Sequence, residues 1–219
     1  TCGAPVSLTV DGGGSYLYVT CDGSQSGQQK QYLIDEFQIN PPGDLSRFAR
    51  IRTREAPIGI IGLMDTQSTY LNQYAYSTQS ITAAEIAHWD VISNPIDLPT
   101  FKITSQGGFP RFLTGTPPWI AGTHYIYGAN NSATQNVAAF SIGTGGALAT
   151  LSTQTSTGNP TMPVIDSSAR LLYVTNSTGN SISQYCIDSS GRHQPLSPPT
   201  ISTVIAPYGI TTDLMGRFV

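Results

Sequence analysis

Apolar residues in this chain fall in short runs rich in Val, Ile, Leu, Tyr and Phe, many alternating with polar positions and separated by Gly, Asn, Asp, Ser and Pro. Period-two alternation puts successive side chains on opposite faces of an extended backbone, so the pattern predicts strands and turns throughout. Helical spacing is nearly absent. In the stretch Ile81–Trp89, Thr82 and Glu85 have the spacing of a capping box, which suits one helical turn. Its end is read as strand, because Ile86, Trp89 and Val91 fit a template found elsewhere in the chain.

That template belongs to an internal repeat. A proline opens each copy at Pro5, Pro57, Pro110, Pro160 and Pro207, at separations of 52, 53, 50 and 47 residues. Asp11, Asp65, Thr116, Asp166 or Asp213 follows six residues later, or eight in the second copy. Five residues beyond the aspartate a new run begins: Tyr16-Leu17-Tyr18-Val19-Thr20, Tyr70-Leu71, Leu171-Leu172-Tyr173-Val174-Thr175 and Phe218-Val219. The third copy delays this run to Tyr125-Ile126-Tyr127, behind a turn four residues longer that runs from Thr116 through Pro117, Pro118 and Trp119 to His124. A third segment repeats one apolar spacing in Ile34, Phe37, Ile39, in Ile86, Trp89, Val91, in Val137, Phe140, Ile142 and in Ile182, Tyr185, Ile187.

Each copy therefore reads as strand a after the proline, a turn at the aspartate, strands b and c, and a weaker strand d near Phe48–Ile51, Phe101–Ile103, Leu148–Leu151 and Ile201–Val204. Four antiparallel strands per repeat of this length describe a propeller blade. A sandwich does not predict regular internal repetition, and a β-helix has shorter periods. The expectation is an all-β, single-domain β-propeller with four complete four-stranded blades, over residues 4–55, 56–108, 109–158 and 159–205, and part of a fifth over 206–219. The last residue, Val219, falls within strand b of that fifth copy, as in a fragment of a larger propeller. The recurring aspartate is expected to hold its turn by accepting backbone amides, and Gly12-Gly13-Gly14 leads into a strand, so it is not a phosphate-cradling loop.

With 219 residues and 39% hydrophobic content the chain can bury a real core. Charged residues supply only 11%, so the surface is neutral and hydroxyl-rich. A net charge of −3 with only two lysines, Lys30 and Lys102, leaves no nucleic-acid footprint. Arg47, Arg50, Arg52 and Arg54 form the one local charge cluster, and their spacing puts three on one strand face, as on a solvated edge. No apolar run approaches the length of a transmembrane helix, and no charged-then-apolar leader precedes Thr1, so the sequence reads as mature or trimmed. The three cysteines and three histidines have no metal-ligand spacing, so no metal and no cofactor is expected.

The fourth copy spells Leu172-Tyr173-Val174-Thr175-Asn176 after Asp166-Ser-Ser-Ala-Arg170, and the fifth repeats the lead-in as Asp213-Leu-Met-Gly-Arg217-Phe218-Val219. The stretch from Asn159 to Val219 resembles the YVTN-repeat and lactonase-type propeller family, which includes 6-phosphogluconolactonases. The resemblance implies about seven blades. It also implies that a catalytic member places His, Glu or Arg where strand a enters the central channel. The residues directly after the opening prolines are Val6, Ile58, Arg111, Thr161 and Tyr208, of which only Arg111 is charged. Glu55, two positions before Pro57, is its best partner for an acid-base or oxyanion role.

Cys2 precedes strand a of the first copy and Cys21 follows its strand b, so a hairpin between them brings the two into disulfide range; such a bond contributes on the order of 3 kcal/mol. Cys186, next to Tyr185 on strand c, reads as a buried free thiol. A disulfide with low charge suggests an extracytoplasmic protein, secreted, periplasmic or at the cell surface. Asn130-Asn-Ser and Asn176-Ser-Thr fit the glycosylation pattern. His88 and His124 have no evident carboxylate or cysteine partner. The leading expectation is a binding or assembly module for a protein, glycan or surface polymer, contacted by Asn159, Tyr208 and the loop aromatic Trp119 and completed by further blades or other chains. The alternative is a lactonase-like hydrolase using Glu55 and Arg111.

Overall fold

The computed structural model describes residues 4–10, 14–23, 32–53, 56–64, 73–80, 85–90, 103–104, 109–117, 120, 122–131, 136–143, 146–213 and 215–219. Two compact units divide the chain, Thr1–Thr104 and Ser105–Val219. Each holds two four-stranded antiparallel sheets, every one a meander in sequence order. No α-helix is present among the described residues, and Glu85–Asp90 is strand. The repeat thus folds as four blades of an all-β propeller, as its period predicts.

In the first unit β1 (Pro5–Val10), β2 (Tyr16–Cys21), β3 (Leu33–Asn40) and β4 (Asp44–Arg52) make one sheet, and β5 (Ala56–Met64), β6 (Gln73–Ser80), β7 (Glu85–Asp90) and β8 (Ile103–Thr104) the other. Register confirms the strand-c template. Ile34 pairs Thr20 and Phe37 pairs Leu17, while Ile86 pairs Thr78 and Trp89 pairs Ala75. The second copy's strand b therefore begins at Gln73, and its motif is Tyr74-Ala75-Tyr76-Ser77-Thr78 and not the run at Tyr70-Leu71 read from spacing. Arg47, Arg50 and Arg52 of β4 are exposed on an edge strand, as expected, and two of them also face a buried carboxylate. A bulge between Glu36 and Phe37 offsets the ladder, so Arg47 and Arg50, an odd number apart, converge on one carboxylate. Arg50 binds Asp35 through two bonds of 2.6 and 2.9 Å, and Arg47 lies 3.8 Å away and over the Phe37 ring. Asp35 is fully buried, and the hydrogen bond from Arg50 holds its carboxyl below the usual range against the opposing effect of burial.

The second unit contains β9 (Phe109–Gly115), β10 (Tyr125–Asn131), β11 (Asn136–Ile142) and β12 (Leu148–Thr155), followed by β13 (Pro160–Ile165), β14 (Leu171–Asn176), β15 (Ser181–Ile187) and β16 (His193–Ser202). The two sheets bury one core. Tyr127, Ala129, Val137 and Ala139 of the first meet Ile165, Leu172, Val174 and Tyr185 of the second. Alternation along strand b assigns the faces: Tyr and its second neighbour look to the following blade, and Leu172 and Val174 look to the preceding one. The turn at Asp166 has the expected form, with Oδ1 accepting the amides of Arg170 and Leu171 at 2.9 and 2.7 Å, and Oδ2 that of Ser168 at 3.1 Å. Burial works to raise this carboxyl's pKa, and these bonds with the Ser168 hydroxyl outweigh it, leaving the pKa lowered. Asp213 repeats the arrangement, accepting Arg217 and Phe218 amides at 2.5 and 3.0 Å, so the fifth copy forms its turn.

A buried histidine that the motif analysis passed over clamps the two sheets. His193, at the start of β16, reaches the preceding sheet, where Nε2–H donates to the Val137 carbonyl at 3.1 Å and Nδ1 accepts from Ser152 Oγ at 3.1 Å. Its ring meets Tyr127 and Tyr185 edge-on at 5.9 and 5.1 Å. The same corner is held by Tyr127 Oη donating to Gly191 O at 2.9 Å and Arg192 donating to Leu151 O at 2.6 Å. Both ring nitrogens are committed in the neutral tautomer, and burial drives the pKa down to about 4 despite the Val137 carbonyl. Because the folded value lies below the unfolded one, stability is intact above pH 6.5 and falls as the unfolded chain alone takes up the proton between pH 6.5 and 4, by up to about 3 kcal/mol. Urea unfolding of the wild type should lose stability across that window, and His193→Gln, which cannot titrate, should lie lower at neutral pH and be flat across it.

Candidate functional site

Strand a of every sheet carries an irregularity just after its opening proline: between Pro5 and Ser7, Pro57 and Ile60, and Pro160 and Pro163, and in β9 opposite Gly128 and Asn130. A bulge takes backbone groups out of the ladder, and they need another partner. The threonine of the Tyr-Val-Thr motif supplies it. Thr20 Oγ1 accepts from the Ser7 amide at 3.0 Å, and Thr175 Oγ1 from the Met162 amide at 3.1 Å. The Thr175 hydroxyl then donates to the Tyr208 carbonyl at 3.0 Å, and the Thr20 hydroxyl lies 3.5 Å from the Ile58 carbonyl. Ile58 and Tyr208 are the residues after the next opening proline, so one hydroxyl ties a bulge to the strand-a entrance of the following copy. In the third copy Ala129 holds the equivalent register position and has no hydroxyl to give.

In the second unit this construction gathers several residues singled out in the sequence at one end of the strands. Asn159 adopts φ 57°, its carbonyl accepting from Thr161 Oγ1 at 3.1 Å and from the Ser177 amide at 3.0 Å. Gly158 (φ 84°) is required, because a Cβ there would sit 2.3 Å from the backbone of Gly179. Arg111 is half-buried on β9 beside Phe112, and Phe112 meets Tyr208 edge-on with centroids 6.0 Å apart. Tyr208 remains 53% exposed. This end of the strands thus carries a half-buried arginine on β9 and an exposed tyrosine around pinned backbone.

Glu55, Trp119 and Cys2 lie outside the described residues. Cys21 is disulfide-bonded. Cys186 is a free thiol but exposed, because strand alternation turns Tyr185 inward and Cys186 outward. Both glycosylation patterns are structural instead. Asn130 and Asn176 are buried, with their amide nitrogens donating to Asn136 Oδ1 at 2.5 Å and Ser183 Oγ at 2.9 Å. Among the described residues no group of three or more His, Cys, Asp or Glu side chains gathers as for a metal ion, and no helix is long and apolar enough to cross a membrane.

Thr175→Val keeps the shape but strands the Met162 amide and the Tyr208 carbonyl, which should cost about 1 to 3 kcal/mol in urea unfolding. Thr175→Ser, which keeps the hydroxyl, should recover most of that loss.

Residues 98–204 match the family model described as Lactonase, 7-bladed beta-propeller. No curated protein matches the sequence. Among solved structures, a functionally unknown protein from Desulfotomaculum acetoxidans is similar with TM-score 0.70 and 17% identity over 99% of this chain and 62% of its own. The periplasmic gluconolactonase of Pseudomonas aeruginosa is similar with TM-score 0.68 and 16% identity over 94% and 59%. A putative 6-phosphogluconolactonase from Bacteroides fragilis gives TM-score 0.64 and 17% identity over 91% and 55%. The chain therefore spans about three-fifths of the length of these structures. In fold the chain is a β-propeller, and over residues 98–204 it resembles the lactonase seven-bladed family.

Proposed function

We propose that this chain is the binding part of an extracytoplasmic propeller, with its ligand face at the strand-a entrances of the second unit and an acidic glycan or sugar acid as ligand. The observation that carries the reading is how the polar side chains divide. Asp166, Asp213, Thr175, Asn176 and His193 are committed to turns, bulges and the core. Tyr208 instead stands exposed at the strand-a entrance, and Arg111, half-buried on β9, is the charged residue after an opening proline in this unit. A guanidinium, a phenol and pinned backbone carbonyls suit a carboxylate attached to a hydroxylated ring. The disulfide at Cys21 supports an oxidising compartment. Trp119, on the turn at the other end of β9, serves as a separate rim contact in this reading.

Lactone hydrolysis is the second reading, favoured by the family match over residues 98–204. It assigns the lactone carbonyl to Arg111 and the proton transfers to Glu55. One set of variants separates the two. Calorimetric titration with D-glucuronate should show binding that weakens about tenfold in Arg111→Ala, the loss of a charge-assisted contact. A pH-stat assay with D-glucono-1,5-lactone should show no rate above the spontaneous one. A rate that falls about a hundredfold or more in both Arg111→Ala and Glu55→Gln would instead establish the hydrolase.

A further inference from the structure

The second unit holds a half-open cavity of about 330 Å³ at the end of the strands opposite to the strand-a entrances. That volume is at the small end of sites for discrete ligands. Residues of three turns line it, and hydrogen bonds hold described residues of each. Thr116 closes the base of the long turn, its Oγ1 accepting the Tyr125 amide at 2.9 Å. Asp166 holds Ser168 and Ala169, as described above. Asp188 holds the third, its Oδ1 accepting the amides of Ser190 and Arg192 at 2.8 and 3.0 Å. The Tyr125 ring lies so close to Gly191 (φ 77°) that a Cβ there would meet it at 2.3 Å, which keeps the ring upright against the cavity wall. Rigid walls of this kind reduce the ordering cost of binding.

The lining combines two kinds of chemistry. Ile120, Ile165, Ile187 and the Tyr125 ring supply apolar surface, and Thr123, Ser189 and the Asp188 carboxylate supply polar groups. Asp188 is the one carboxylate among the lining residues, none of which is Lys or Arg, and the Arg192 charge acts on it from outside the lining. An anion entering the cavity meets the Asp188 carboxylate first, a like charge that Arg192 only partly offsets. Apolar surface with an aromatic ring receives the C–H face of a flat ring, and a carboxylate with two hydroxyls pairs with its hydroxyl groups.

We propose that this cavity is a binding site for an uncharged monosaccharide unit, distinct from the entrance that carries Arg111. The ring stacks over Tyr125 with its hydroxyls donating to Asp188, whose second oxygen is left for the ligand by a turn that uses Oδ1. The bonds from Ser190, first among its causes, lower the Asp188 pKa, so the acceptor is ionised at neutral pH.

The test is a saturation-transfer NMR and calorimetric titration of the 219-residue chain with methyl β-D-glucopyranoside, methyl β-D-galactopyranoside and methyl α-D-mannopyranoside. Glucose 6-phosphate and choline serve as charged comparisons. At least one glycoside should bind saturably below about 10 mM, with glucose 6-phosphate about tenfold weaker or more. Asp188→Asn, which keeps the turn's acceptor, should weaken that glycoside about tenfold, and Ser189→Trp, which fills the cavity from an exposed position, should abolish its binding with the urea midpoint unchanged. The proposal is overturned if no glycoside saturates, if choline alone binds, or if a glycoside binds equally well to both variants. Loss of glycoside binding in Arg111→Ala with retention in Ser189→Trp would also overturn it, placing the sugar at the entrance.

Discussion

A four-stranded sheet with two apolar faces cannot stand in water alone, and every feature of this chain follows from the need to stack each sheet on its neighbour. In the second unit the contact is made by strands b and c, where Tyr127, Ala129, Val137 and Ala139 lie against Leu172, Val174 and Tyr185. Because side chains alternate along a strand, one short motif serves both neighbours: Leu and Val for the sheet before, Tyr and Thr for the sheet after. The threonine has the further task of bridging to the next copy through its hydroxyl, which is why a polar residue recurs in an otherwise apolar run.

The same constraint explains where polar groups are buried. Sheets pack closely enough to exclude water only if their corners are also closed, and here closure falls to hydrogen bonds between copies. His193 reaches back to Val137 and Ser152, Tyr127 reaches forward to Gly191, and Arg192 caps Leu151. In the first unit, Asp35 under Arg50 and Arg47 plays the comparable part on strands c and d. Such groups look like catalytic candidates in isolation, yet each has its bonding capacity used by the fold. Function is then left to the two ends of the strands, where turns and entrances are free to vary without disturbing the stack.

The two ends differ in charge as well as in construction. At the entrances Arg111 stands on β9 near the Phe112–Tyr208 contact, and at the opposite end Asp188 lies in a cavity lined without a cationic side chain. In the two sites proposed above, a cation at one end and a carboxylate at the other favour ligands of different charge.

Sequence alone determined the repeat, the strand order within it, the turn at Asp166 and Asp213, and the shared strand-c spacing of Ile34 and Phe37, Val137 and Phe140, and Ile182 and Tyr185, because these depend on local alternation and on turn chemistry. Arg111, Asn159 and Tyr208 were legible as candidates for the same reason: they follow or precede the opening proline. Tertiary structure alone decided the rest. The strand b of the second copy lies at Gln73–Ser80 because pairing with β5 and β7, not spacing from Asp65, sets its register. A bulge at Phe48 of β4 turned Arg47 and Arg50 onto Asp35. His193, Asn130 and Asn176 became core residues, and Cys186 a surface one, since burial depends on which face the neighbouring sheet covers. The cavity at Asp188 joins residues from two repeats and three turns, and such a meeting is set by how sheets stack, which no local pattern along the chain contains.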